Sequence, residues 1–316
     1  MSRVRWAQHA LRASAVIVAV VGTTLVMSGC QASPQPNGLR VVATTTQVTD
    51  FTKQVVGNGG TVDGIIAPNQ TAHSFDPSAK VLLEMAHAQA LVINGAGIEP
   101  WLTDAIDASG FHGVIIDASK DVSVINHDPH IWTSIENAQV MVKTIARGLS
   151  MVDSSHATIF ETNAARYGSQ LEKLQIWAQK DLAQIPGDRR LLVTNHDGLA
   201  YFVKEMGITF VGSIIPSFDD NAEPSAAEID QLVARIRTSG ARAVFSETSI
   251  SSKLATTIAT EAGVRVYFGP DALYADTLGP VGSSGSTYMT ATEHNVRVLV
   301  DAWGGTNLPL SQGPSS

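Results

Sequence analysis

The stretch Leu39-Arg-Val-Val-Ala-Thr44 is almost entirely apolar, and a helical pattern that Gly57 ends follows it. A second stretch typical of a strand, Thr61-Val-Asp-Gly-Ile-Ile-Ala67, comes directly after that helix. Apolar strands that alternate with helices are typical of a parallel sheet covered by helices on both faces. The beginning of the folded part therefore predicts an α/β fold.

The same alternation continues on both sides of a long helical segment. The pattern predicts further strands at 91–94 and 113–117 before this segment, and at 190–194, 208–212, 243–246 and 264–267 after it. Between them, residues 156–184 show apolar positions at three- and four-residue steps and no strand. Since a helix rises about 1.5 Å per residue, this segment is long enough to join two lobes.

These patterns predict a two-lobed chain, each lobe a parallel-rich sheet flanked by helices, with a ligand cleft between the lobes. The expected boundaries are a signal peptide at 1–29, a tether at 30–38, an N-terminal lobe at 39–155, a linking helix at 156–185, a C-terminal lobe at 186–305 and a tail at 306–316.

The N-terminus has the pattern of a secreted lipoprotein. Basic residues precede the apolar run Ala15–Met27, which is shorter than the about 20 residues of a membrane span and suits a signal peptide. The run ends at Met27-Ser28-Gly29-Cys30, which resembles a bacterial lipobox. Because Cys30 is the only cysteine, a disulfide framework and a cysteine-rich metal site are excluded. We therefore expect a lipid anchor on Cys30 and an extracytoplasmic location, with the polar 30–38 segment as tether.

The charge of the mature chain disfavours a nucleic-acid partner. The segment 1–29 holds three arginines and no acidic residue, so its removal leaves 18 basic and 29 acidic residues. The resulting net charge is about −11 with neutral histidine, which mildly favours a cationic ligand.

Three histidines follow predicted strands or lie in loops rich in turn residues. His73 comes after the second strand, His130 begins a helix, and His196 ends the first strand of the second half. In open parallel α/β sheets, ligands bind outside the carboxyl ends of the strands. The three imidazoles are therefore candidates for one site built from both halves.

A carboxylate would complete such a set. Asp276 follows the strand that ends at Tyr267, Asp271 lies in the same loop, and Glu247 follows the strand at 243–246. Imidazole nitrogen with a carboxylate oxygen is a set that suits zinc. A closed four-ligand set favours binding over hydrolysis, because a zinc hydrolase usually keeps one position open for water. A secreted zinc hydrolase remains the alternative of another class, although the chain has no His-Glu-x-x-His and no Gly-x-Ser-x-Gly motif.

Several motifs together resemble the zinc- and manganese-binding solute receptors of ABC importers. The matching segments are Val41-Val-Ala-Thr-Thr-Thr46, Asp128-Pro-His-Ile-Trp132, Thr194-Asn-His-Asp-Gly-Leu-Ala-Tyr-Phe202, Phe245-Ser-Glu247 and Asp276-Thr-Leu-Gly279. The resemblance extends over about 39–303 and implies four metal ligands, His73, His130, His196 and Asp276. It also implies a rigid linking helix, delivery of the metal to an ABC permease with its ATPase, and no catalysis. We expect a monomer, and a metallochaperone that loads the site is left open.

Two departures from the family pattern bear on the site. Members of the family often have Asp-Pro before the first ligand, where this chain has Thr71-Ala72. Many zinc receptors carry a long loop rich in histidine before the second ligand. In this chain the loop is short and holds one further histidine, His127. His127 is either a remnant of the longer loop that helps to capture metal or an ordinary loop residue.

The third ligand bears on the choice of metal. Manganese receptors of this family often have Glu there, and His196 makes the present set richer in nitrogen, which favours zinc with manganese or iron as the alternative. Glu247 and Asp197 are candidates to accept a hydrogen bond from a ligating histidine. Trp132 and Phe75 are candidates for apolar packing around the site.

Overall fold

The N-terminal half is built on one parallel sheet of four strands in the order β2-β1-β3-β4. The strands are β1 (Leu39–Ala43), β2 (Gly60–Gly64), β3 (Ala90–Ile93) and β4 (Val114–Asp117). The helices of this half are α1 (Thr46–Val56), α2 (Ala79–Ala86), α3 (Leu102–Ser109) and α4 (Ile135–Val152). The central strands are apolar and buried, whereas β2 at one edge is largely polar and exposed. β2 ends at Gly64, earlier than the apolar pattern predicts.

The structure, a computed structural model, describes residues 38–310. The predicted signal peptide at 1–29, the predicted lipid-anchor residue Cys30, the tether up to residue 37 and the tail from 311 onward lie outside the described residues. Among the helices that the structure describes, none combines the length and the apolar character needed to cross a bilayer.

Side-chain caps fix where the first helices begin. The hydroxyl of Thr45 accepts a hydrogen bond from the backbone N–H of Val48 at 3.2 Å, and Ser78 caps α2 in the same way. Such caps supply a partner for an N–H group that the helix itself leaves unpaired. Thr44 alone separates Thr45 from the end of β1, so the chain passes from strand to helix within two residues.

The long helical segment forms one helix, α5 (Ala157–Leu182), of 26 residues. Its buried side chains recur at three- and four-residue steps, from Phe160 to Leu182. On one side Asn163 donates to the backbone oxygen of Val55 in α1, and further along Gln175 donates to Glu205 of the second half. The helix therefore contacts both halves of the described chain, as expected of a linking helix.

The C-terminal half repeats the α/β pattern. Strands β5 (Leu191–His196) and β6 (Thr209–Ile215) pair in parallel, as do β7 (Ala243–Phe245) and β8 (Arg265–Tyr267). The helices are α6 (Ala200–Met206), α7 (Ala226–Ser239), α8 (Lys253–Ala262) and α9 (Tyr288–Ala302). The predicted α/β fold, with parallel sheets flanked by helices and a long helix between them, is confirmed. The exact limits of the two lobes stay a prediction.

One hydrophobic cluster extends over both halves, and a second lies within the C-terminal half. The buried side chains of the first cluster come from the first sheet, from α4 and α5, and from α6 and α9 of the second half. Polar contacts join the halves as well, since the indole of Trp132 and the amide of Gln47 both donate to the backbone oxygen of Ala275. A shared core disfavours a large hinge motion, because separating the halves would expose apolar surface to water.

Candidate metal site

The four predicted ligands come from four separate segments and meet between the two halves. His73 lies in the loop after β2, and His130 directly precedes the short 3-10 helix Ile131–Thr133 that leads into α4. His196 is the last residue of β5, and Asp276 lies in the segment after β8. Their ligand atoms all lie within 4.8 Å of one another.

The Nε2 atoms of the three imidazoles point to one centre. Nε2 of His130 lies 3.2 Å from Nε2 of His73 and 3.3 Å from Nε2 of His196. Oδ1 of Asp276 lies 3.3 Å from Nε2 of His130 and 3.2 Å from that of His196, and Oδ2 lies 3.7 Å from Nε2 of His73. For a tetrahedral zinc ion with bonds of about 2.0–2.1 Å, the ligand atoms would be about 3.3–3.4 Å apart. The observed separations therefore fit four donors around one small cation.

Asp276 is a buried carboxylate that faces the ring nitrogens of three imidazoles. Neither of its oxygens accepts a hydrogen bond within the described part of the chain. A buried carboxylate is costly unless it is paired with a cation or well hydrogen-bonded. A metal ion at the centre of the four residues would supply that partner.

Charge interactions within the cluster keep the carboxylate ionised. Burial would raise the pKa of Asp276, but the positive charges available on His196 and His130 hold the pKa below its usual range. Burial lowers the pKa of His73, against a smaller opposing effect of Asp276. Burial would also lower the pKa of His196, but Asp276 and Glu247 raise it instead. Asp276 is thus the ionised donor of the cluster, and a divalent cation at its centre would displace the imidazole protons that otherwise balance this charge.

Two carboxylates lie behind the imidazoles, on the side away from the centre. Nδ1 of His130 lies 2.7 Å from Oδ1 of Asp128, and Nδ1 of His196 lies 2.7 Å from Oε2 of Glu247. Such partners fix the ring orientation and leave Nε2 free to bind a metal. Glu247 was expected in this role. Asp128 was not, although its position two residues before a ligating histidine is a signal that sequence reasoning could have used.

The remaining candidates lie outside the cluster of four. His127 and Asp271 are exposed and lie outside the cluster of four, whereas Asp276 belongs to it. The carboxylate of Asp197 is half-buried and bonds to none of the three imidazoles in the described residues. The ring of Trp132 lies 5.3 Å from that of His130, whereas Phe75 packs against Trp101.

Two loops, one from each half, cover the cluster on the side of His73. They are residues 67–75 and residues 216–223, and the second brings the ring of Phe218 to 6.2 Å from that of His130. Thr71 donates to Asp220 at 3.0 Å and Asn221 donates to Ser74 at 3.2 Å across the gap. Among the four residues only His73 is partly exposed, so solvent and a metal ion reach the site most easily on the side of His73.

Comparisons with known proteins agree with this architecture. The family model of the periplasmic zinc-uptake complex component A matches residues 41–302. The manganese-binding lipoprotein MntA of Bacillus subtilis strain 168 is 27% identical over 303 residues, which cover 91% of this chain and 98% of that protein. The iron-binding protein YfeA of Yersinia pestis is 25% identical over 308 residues, which cover 93% and 97% of the two chains.

A solved structure shows the same fold. The periplasmic zinc-binding protein TroA of Treponema pallidum matches with a TM-score of 0.77 at 22% identity, over 84% of this chain and 99% of that one. At this sequence identity the similarity is evidence for the fold alone. The fold it shows is the two-lobed one that the sequence predicts.

Proposed function

The chain belongs to the family of periplasmic zinc-uptake complex component A proteins, and from this premise we propose that its cargo is zinc, bound by His73, His130, His196 and Asp276. The family consists of substrate-binding proteins of metal ABC transporters. The single observation that carries the proposal is the convergence of three imidazole nitrogens on the buried carboxylate of Asp276, whose oxygens accept no hydrogen bond within residues 38–310.

The donor set supports zinc over manganese. Three neutral imidazoles and one carboxylate suit zinc, while manganese prefers a set richer in oxygen. Manganese is the second candidate, because MntA, which this chain resembles over nearly its whole length, is named as manganese-binding. Both oxygens of Asp276 also face the imidazoles, so a bidentate carboxylate would raise the coordination number toward what manganese prefers.

A growth experiment separates the two metals better than affinity does, since zinc binds more tightly than manganese to nearly any such site. We expect a strain that lacks this gene to grow poorly in medium depleted of transition metals and to recover with added zinc but not with manganese. The wild-type gene should restore growth at low zinc. Recovery with manganese alone would assign the manganese role instead.

Membership of the family implies an ABC permease and its ATPase as partners. The relative from Bacillus subtilis is named a lipoprotein, and we propose that this chain too is held on the outer side of the cell membrane by a lipid on Cys30. A single acyl chain gives only weak membrane binding, so stable attachment requires the multiple acylation typical of such lipoproteins.

Cys30→Ser should abolish the lipid anchor without changing metal binding, since Cys30 is not one of the four proposed ligands. We expect metabolic labelling with a fatty acid to mark the wild-type protein in the membrane fraction and to be lost in the variant. Equal labelling of both proteins would refute modification at this residue.

A zinc hydrolase finds no support in the geometry. Four protein donors close a tetrahedral shell, which leaves no position for the activated water that hydrolysis needs. The relatives described above are named for binding metals, and none is named for catalysis.

A further inference from the structure

Two of the proposed ligands follow the same kind of local turn. In Asp128-Pro129-His130, the backbone N–H of His130 donates to Oδ1 of Asp128 at 3.0 Å. In Thr71-Ala72-His73, the backbone N–H of His73 donates to Oγ1 of Thr71 at 3.2 Å. In both turns a side chain two residues earlier fixes the backbone that carries the imidazole.

The two turns differ in where their carboxylate comes from. Asp128 supplies its own, which also lies 2.7 Å from Nδ1 of His130. Thr71 has no charge, and its hydroxyl donates to Oδ1 of Asp220 at 3.0 Å. Asp220 belongs to the loop after β6 in the other half of the chain, so one hydroxyl connects the backbone of His73 to a carboxylate 149 residues away.

Asp220 is held in place from its own side. The amide of Asn221 donates to Oδ1 of Asp220 at 2.9 Å and to Oγ of Ser74 at 3.2 Å. Loop 216–223 therefore meets loop 67–75 at two points, one on either side of His73. The side chain of His73 is 9% exposed, whereas that of His130 is fully buried. His73 is therefore the imidazole whose position depends most on contacts between the two loops.

We propose that Asp220 is a positioning residue for His73, acting through the hydroxyl of Thr71; this rests on the metal-binding function proposed above. In this turn the hydroxyl of Thr71 takes the place of the Asp128 carboxylate, and Asp220 of the opposite half holds that hydroxyl. His73 is fully positioned only when the two loops lie against each other. The ligand set is therefore complete only while the two loops are in contact, and this contact slows release of the metal.

The test uses zinc and the whole mature chain, with affinity measured by competition with a chelator and release measured by transfer to excess chelator. Asp220→Ala and Thr71→Val each remove one end of the hydrogen bond. We expect each to lower zinc affinity about 10-fold, within the range for residues that orient a metal ligand, mainly through faster release. Because both break the same link, the double variant should lose no more than either single variant.

Two matched variants separate positioning from charge. Asp219→Ala removes the same charge from the same loop, and the carboxylate of Asp219 accepts hydrogen bonds only from Asn221 among the described residues. Asp220→Asn removes the charge but keeps an oxygen that can accept from Thr71. Both should stay within about 3-fold of wild type in zinc affinity, because neither breaks the link to His73.

A rescue provides the strictest check. Thr71→Asp recreates at His73 the turn that Asp128 makes at His130, so it should restore most of the affinity that Asp220→Ala loses. Thr71→Ser, which keeps the hydroxyl, should resemble wild type.

The idea is overturned if Asp219→Ala costs as much as Asp220→Ala, if Thr71→Val has no effect, or if the losses in the double variant add. Wild-type protein that fails to bind zinc at all would overturn the metal-binding function itself, whereas normal zinc binding by every variant would overturn only the role of Asp220. The melting temperature of each chelator-treated variant shows whether it is folded. Should Asp220→Ala not fold, Thr71→Val decides by the same criteria.

Discussion

His196→Ala is expected to lower the affinity for zinc by about 100- to 1000-fold. Structural zinc sites with four ligands bind with about 10–16 kcal/mol, so one ligand accounts for about 2.5–4 kcal/mol. His196 is fully buried, and its Nε2 lies 3.2 Å from Oδ1 of Asp276, so the substitution removes a nitrogen donor from the centre of the cluster. The measurement is a competitive titration with a chelator of known affinity.

Two other histidine variants serve as controls for this result. His112 is exposed and lies outside the cluster, so His112→Ala should bind zinc as wild type does. His127→Ala should also keep its equilibrium affinity, and any role in capture would show only as slower association. An unchanged zinc affinity in His196→Ala would mean that His196 is not a ligand.

The second large effect is expected from Asp276→Asn. This change keeps the shape of the side chain but removes the only anionic donor in the cluster, which faces three imidazoles. Leaving a buried charge without its partner costs about 3–5 kcal/mol, which corresponds to about 10²-fold or more in zinc affinity.

Asp271→Asn is the matched control, because Asp271 lies in the same segment but is exposed. It should bind zinc with wild-type affinity in the same titration. If instead Asp271→Asn lost zinc and Asp276→Asn did not, the carboxylate ligand would be Asp271 and the loop would have to rearrange around the metal.

Much of the fold follows from local pattern. The apolar strand beginning at Leu39 and the long periodic helix are each specified by neighbouring residues, so the sequence alone predicts them. The short strands at the sheet edges are harder to predict from the sequence. β2 carries polar residues and gains little burial, so an apolar run does not mark its end.

The site was predictable as a set of residue types but not as a geometry. Imidazoles at strand ends indicate a metal, and the family resemblance implies which four residues bind it. Nothing local, however, distinguishes Asp271 from Asp276, because the choice depends on which of them the chain buries beside His130 and His196.

The residues that position the ligands are harder still to predict from the sequence. Asp220 lies 149 residues from Thr71 in the chain, and their hydrogen bond depends on how two loops meet in three dimensions. Contacts of this kind leave no periodic signal in the sequence. By contrast, Asp128 lies two residues from His130, and its role could have been inferred from that spacing alone.

X-ray absorption at the zinc edge of the reconstituted protein tests the central claim most directly. The four-residue site predicts one zinc per chain in a four-coordinate shell of nitrogen and oxygen at about 2.0 Å, with outer scattering from three imidazole rings. A six-coordinate shell of oxygen atoms without imidazole scattering would contradict it.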